Sequence, residues 1–273
     1  MNIRKPVTPI LIALVLTGSV VFSFLEIPEF IGKLHLEKGR SLAAQTNYSQ
    51  ALSEYTIASK VNIPIKIAAD TEIALILFDQ GKYEEAIEEC TSVIDLDQNN
   101  YYPYAIRASS YNAVKLPDKA LDDINKSIDL NSYYGYAYAI RASIRITMKK
   151  TAGDYLQILN DCTEALQLNP TLALAYKTRG DVYLMAGQID AAELDQAITA
   201  YDQALTLDPA NNVSCYYGRG MAEFKKGDKD SALTDLNKYI DLGNDADLIK
   251  NAKQVIEQIN NQYNGGPPQL SIL

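Results

Sequence analysis

From about residue 32 onward the chain alternates two kinds of segment. The first places apolar or small residues at helical spacing. A polar turn follows, as in "DQGKYE", "KLPDK" and "KKGDK". The second segment carries alanines about seven residues apart, such as Ala197 and Ala204, and closes on "LDQNN", "LNP" or "LDPANN". Apolar recurrence at three- and four-residue intervals predicts amphipathic helices, and the polar turns fold them into helical hairpins. Pro170 and Pro209 fall just past second helices, where proline cannot extend them.

The pattern repeats. The hexamer "YAIRAS" at 104–109 returns at 138–143, an offset of 34 residues. Aligned on it, units span 101–134, 135–172, 173–212 and 213–246. A further copy covers about 67–100, and a weaker one 32–65. A fixed period of this length signals a stacked array. One small residue recurs in the first helices (Gly39, Ala74, Ala108, Ala142, Gly180, Gly220). Another recurs in the second helices (Ala51, Ala86, Ala120, Ala197, Ala232), with Ile158 in the fourth unit. Small residues facing each other let two antiparallel helices approach closely. No unit can bury its apolar face alone, so stacking is the stable solution. Two units are longer, by about four residues near "MKKTAGDYLQ" and about five near "GQIDAAELDQ". Both extensions fall at the turn between the two helices, and four residues are close to one helical turn.

With Tyr176, Gly180, Tyr183, Ala197, Tyr201, Ala204 and Pro209 in place, the chain resembles the tetratricopeptide repeat family. About six repeats cover 32–244. The resemblance implies an all-α, right-handed superhelix of helix-turn-helix units (an α-solenoid) that binds other proteins. The first repeat departs from the pattern, with His35 where an aromatic is usual. In this family the concave groove is lined from the first helices. Carried to this sequence, that gives Phe78, Tyr102, Ser109, Asn112, Tyr136, Ser143, Lys177, Asp181, Tyr217 and Phe224. Some members clamp a C-terminal carboxylate with Lys and Asn. Those slots hold Leu36 and Arg40 in the first repeat, so a chaperone-tail receptor is not expected.

After the last repeat, apolar residues at 248, 249, 252, 255, 256 and 259 form one stripe and predict a helix capping the stack. The organisation expected is an N-terminal membrane or signal segment at 1–27, a repeat domain with its capping helix at 28–262, and a flexible tail at 263–273.

An arginine recurs beside the small residue of the first helix: Arg107, Arg141, Arg179 and Arg219. Carboxylates recur in second helices: Glu89, Asp123, Asp161 and Asp235. Two pairing schemes are open. Within a unit they are Arg107–Asp123, Arg141–Asp161 and Arg219–Asp235. Between neighbours they are Arg107–Glu89, Arg141–Asp123 and Arg179–Asp161. A charge at a helix seam needs a partner, so a structural ladder is expected rather than a ligand site.

Composition narrows function by exclusion. A net charge of −9 argues against nucleic acid as partner. The three cysteines fit neither a zinc nor a redox motif, and Cys90 and Cys162, in one second-helix slot two repeats apart, read as small core residues. His35 is the one histidine, which argues against His-based metal sites and hydrolytic triads. With no nucleophile–base pair or phosphate loop in view, neither an enzyme, a cofactor nor a small-molecule substrate is expected.

The N-terminus changes the picture. After Arg4 and Lys5 no charge appears until Glu26, and Pro6 to Leu25 is about long enough to span a bilayer. An uncleaved anchor is expected, with the N-terminus cytosolic and the repeats on the outer side. A cytosolic repeat domain, or a soluble exported module after cleavage, are the alternatives. The expected function is a membrane-tethered scaffold that holds a partner protein or peptide, for assembly or maintenance of a complex.

Overall fold

The computed structural model describes residues 26–148, 152–186 and 191–264. Thirteen α-helices and no strand occur among them. The chain divides into two compact units, 1–99 and 100–273. The first holds α1 (Glu26–Ala44), α2 (Tyr48–Ala58), α3 (Ile63–Asp79) and α4 (Tyr83–Leu96). The second holds α5 (Tyr101–Ala113), α6 (Pro117–Leu130), α7 (Gly135–Thr147), α8 (Ala152–Leu168), α9 (Ala173–Ala186), α10 (Ala191–Leu207), α11 (Ser214–Lys226), α12 (Lys229–Leu242) and α13 (Ala246–Asn264). Among the described residues no helix is long and apolar enough to cross a membrane. The run 6–25 and the tail from 265 lie outside them.

Each odd-numbered helix from α1 to α11 packs on the next as a hairpin, and each hairpin packs on the following one within its unit. The expected all-α stacking of helical pairs is what both units contain. The hairpin turns have a common device. Thr46, Gly81, Lys115 and Gly227 all take positive φ just after a first helix, ending it in the left-handed region. Glycine does this freely, whereas Thr46 and Lys115 pay about 1 kcal/mol in steric strain.

Ala51, Ala86, Ala120, Ala197, Ala232 and Ile158 are fully buried, but the first-helix glycines face large side chains one turn beyond these slots rather than the small residues expected: Gly39 faces Tyr55, Gly180 Tyr201 and Gly220 Leu236. The extra residues of the two long repeats lengthen the second helix. α8 and α10 have 17 residues, against 14 in α4, α6 and α12. Nearly one turn is thus added to the helix itself, although a turn between the helices was expected. The remainder falls in 149–151 and 187–190, outside the described residues. α13 closes the second unit as predicted, burying Ala252, Val255 and Ile259 against α12. Cys90, Cys162 and Cys215 are buried and form no disulfide among the described residues. Burial pushes the Cys162 and Cys215 thiols up to about 12, which suits inert core residues.

Tyr201 is a fully buried wedge in the core of the second unit. A Cβ on Gly180 would stand 2.8 Å from its ring, and one on Gly218 2.5 Å. Both glycines are therefore needed for close approach. Gly218→Ala is expected to destabilise by ~1–3 kcal/mol through overpacking, read as a lower urea midpoint. An unchanged midpoint would mean the ring has room to move.

Candidate functional site

The first helices of the second unit lie side by side: α5 against α7, α7 against α9, α9 against α11. The expected groove residues fall on them. α5 carries Tyr102, Ser109 and Asn112; α7 carries Tyr136 and Ser143; α9 carries Lys177 and Asp181; α11 carries Tyr217 and Phe224. Phe78 belongs to the first unit, on α3, where its ring lies 5.6 Å from Tyr83.

The nine residues of the second unit differ in how much surface they offer. Tyr136 is 43% exposed. Tyr102, Ser109, Asn112, Ser143, Lys177 and Asp181 are half-buried. Tyr217 and Phe224 pack partly against the α12–α13 core, with the Tyr217 ring 5.4 Å from that of Tyr239. Burial raises the Tyr217 phenol above its ordinary value, with the Asp245 carboxylate adding to it.

Repeat register explains the juxtapositions. Ser109 and Ser143 are 34 residues apart, as are Tyr102 and Tyr136. Tyr134 stands between the two tyrosines, with centroids 6.0 Å from Tyr102 and 6.3 Å from Tyr136. Tyr101 adds a ring 5.0 Å from Tyr134. These tilted and edge-on geometries are the favourable ones for aromatic pairs. The result is a four-ring cluster at the start of α5 and α7. Burial among these rings holds the Tyr134 phenol well above its ordinary value. Tyr101 and Tyr134 were not among the expected residues. Their signal was in the paired tyrosines at 101–102 and 133–134.

Polar groups of this face are largely satisfied internally. The Thr147 hydroxyl donates to Asn112 Oδ1 at 3.2 Å, joining α7 to α5. Ser109 Oγ donates to the Ala105 carbonyl. Lys177 Nζ lies 2.9 Å from Asp181 Oδ2, and Tyr201 donates to Asp181 Oδ1 at 2.8 Å. Burial works against the Lys177 charge, but Asp181 outweighs it and raises the ammonium above its ordinary value. Such a face offers rings, hydroxyls and one neutralised ion pair, which suits peptide groups and apolar side chains. Among the described residues no cluster could hold a metal ion.

The arginine ladder resolves largely within repeats. Arg107 pairs bidentately with Asp123, its Nε at 2.7 Å and Nη2 at 2.8 Å. Arg141 reaches Asp161 at 2.6 Å and Arg219 reaches Asp235 at 2.5 Å. Arg141 and Arg219 also reach back to the preceding hairpin. Arg141 donates to Asn125 at 3.1 Å, and Arg219 pairs with Asp202. Arg179 forms no ion pair among the described residues. Its two matching slots hold Ala200 and Thr163, and its guanidinium lies 5.0 Å from the Tyr176 ring centre. Four such arginine–tyrosine stacks recur, on Tyr104, Tyr138, Tyr176 and Tyr216.

Comparison with known proteins agrees with this geometry. A tetratricopeptide repeat family model matches residues 36–101 and 188–247. Tetratricopeptide repeat protein 6 of Homo sapiens is 27% identical over 180 residues, which are 66% of this chain and 32% of that protein. Small glutamine-rich tetratricopeptide repeat-containing protein 2 of Saccharomyces cerevisiae is 30% identical over 122 residues, 42% of this chain and 34% of that protein. The chain spans about a third of the length of these curated relatives. Among solved structures, the APC/C hetero-tetramer Cut9–Hcn1 aligns over 86% of this chain and 46% of its own, with TM-score 0.71 and 17% identity. A thermophilic protein of the same repeat type from Thermus thermophilus aligns over 70% of this chain and 99% of its own, with TM-score 0.58 and 18% identity. At these identities the likeness is one of fold.

Proposed function

Because this chain carries tetratricopeptide repeats at 36–101 and 188–247, we propose that it is a protein-binding scaffold. The face of α5, α7, α9 and α11 holds an extended segment or a helix of a partner protein. The observation that carries this is the tyrosine cluster at the start of α5 and α7, with Tyr136 still open to solvent. Tyrosines give a large contact area with a polar tip at small entropic cost. Set on packed helices, they are already in place before a partner arrives.

The uncharged stretch 6–25, preceded by Arg4 and Lys5, supports a tether that fixes this binding event at a membrane, in the service of assembling or maintaining a complex. Replacing Tyr102, Tyr136 and Tyr217 together with Ala is expected to abolish capture of the partner from a lysate. Hot-spot aromatics are each worth ~2 kcal/mol. A folded triple variant that keeps every partner sinks the assignment of this face. N-terminal sequencing of the mature protein tests the tether: a start near residue 24 sinks it.

A further inference from the structure

We infer that one end of the first unit rests directly on a lipid bilayer. The inference depends on residues 6–25 being a membrane segment. It is carried by side chains that the tether reading does not use. Phe30 is 69% exposed on α1, and Ile31 and Leu34 are exposed beside it. Ile57, in the last turn of α2, and Ile63, the first residue of α3, are also exposed, Ile63 at 60%. All five lie at one end of the unit because of how the hairpins stack, Phe30 and Leu34 on the side of α1 that faces away from the α2–α3 connection. A Cβ on Gly32 would stand 2.9 Å from both Val61 and Ile65, so the α2–α3 connection lies against the second turn of α1. The start of α1, the end of α2 and the start of α3 therefore form one end of the unit, where these apolar side chains stand exposed beside the Glu29–Lys33 ion pair and Lys60.

It is also the end at which the chain enters. The uncharged run stops at Leu25, and α1 begins at Glu26. Exposed apolar side chains that follow a bilayer-length apolar run within ten residues have one occupant that the chain itself brings near, the bilayer surface. Phe, Leu and Ile at that depth match the acyl–headgroup boundary that interfacial helices occupy. Lys60 is exposed at the same end, where its ammonium would meet headgroup phosphates, while Lys33 is paired with Glu29 at 2.6 Å. A scaffold seated this way is held against the membrane instead of swinging from it.

The chain has no tryptophan, so single introduced indoles report position without interference. Phe30→Trp and Ile63→Trp are expected to shift to shorter-wavelength emission when the full chain enters phosphatidylcholine–phosphatidylglycerol vesicles. Both should be quenched by lipids brominated near the glycerol. Gln80→Trp, at the other end of α3, should do neither. Leu16→Trp separates the tether from the surface contact. If it is quenched and Phe30→Trp and Ile63→Trp are not, the tether stands and this inference falls. If none is quenched, the tether falls and takes the inference with it. A blue shift of Phe30→Trp without lipid, whether constant or rising with protein concentration, means that the chain itself or a second copy covers this end, and likewise overturns it.

Discussion

Asp161→Ala is expected to cost ~3 kcal/mol of stability, the scale for removing one partner of a buried ion pair. Asp161 is about 5% exposed and serves two guanidinium groups, those of Arg141 and Arg145. Deleting the carboxylate leaves two half-buried cations close together with no anion between them. The desolvation penalty of the charges remains while their compensation is gone. Exposed ion pairs are worth far less, so the burial decides the magnitude. Urea unfolding of the full chain reads the effect. Adding Arg141→Leu and Arg145→Leu is expected to recover much of the loss, because it removes the stranded charges. A single variant within ~0.5 kcal/mol of the parent, the range of an ordinary surface change, would remove the ladder from the structural account.

Glu223→Gln is expected to act in the opposite direction, and only in part of the pH range. The Glu223 side chain is 8% exposed, and its Oε2 atom has no hydrogen-bond partner. Burial pushes its carboxyl up to about 7, with the Asp235 carboxylate adding to it and Arg219 opposing. Arg219 is already engaged by Asp235 and Asp202. The folded chain therefore holds this proton more tightly than the unfolded chain, whose group titrates at its ordinary 4.5. Stability is highest while the proton is on, falls as pH rises from about 4.5 through about 7, and is lowest above that. Glutamine carries no charge to desolvate. At pH 8 the substitution should stabilise by ~1–3 kcal/mol, while at about pH 4 it should change little. Equal effects at both pH values would show that ionisation is not what matters at this position.

The same repeat slot explains why Glu223 is out of place. In the fourth repeat that slot holds Arg145, which completes the Asp161 cluster; in the sixth it holds Glu223 beside Asp235. The sequence displays both residues, but their environment depends on which carboxylate the neighbouring helix turns inward. That is a matter of packing, not of period. The period itself was legible because a hairpin that must stack repeats its contacts at fixed offsets. Gly39, Ala108 and Gly180 could be placed at crossings from spacing alone. So could the capping stripe of α13. The ladder was legible only to the level of a choice between two schemes, since both place an arginine near a carboxylate. Guanidinium reach settled it: Arg141 spans to Asp161 in its own hairpin and to Asn125 in the preceding one. Of the expected groove residues, those of α11 give up part of their surface to the α12–α13 core. A terminal repeat has its far neighbour replaced by a cap, which a pattern shared by all repeats does not reveal.

Tyr201 has a consequence for the order in which the array comes apart. Its ring fills the space left by Gly180 in its own hairpin and by Gly218 in the next, and its hydroxyl holds Asp181. In a linear stack, stability divides into what each repeat contributes alone and what each junction adds. One side chain shared by two hairpins belongs to the junction. It makes the loosening of either repeat a loss for the other. The fifth repeat lacks the carboxylate that its arginine would need, yet it shares this ring with the sixth. The two should therefore open as a single cooperative block, with amide hydrogens in α9 through α11 exchanging at matched rates.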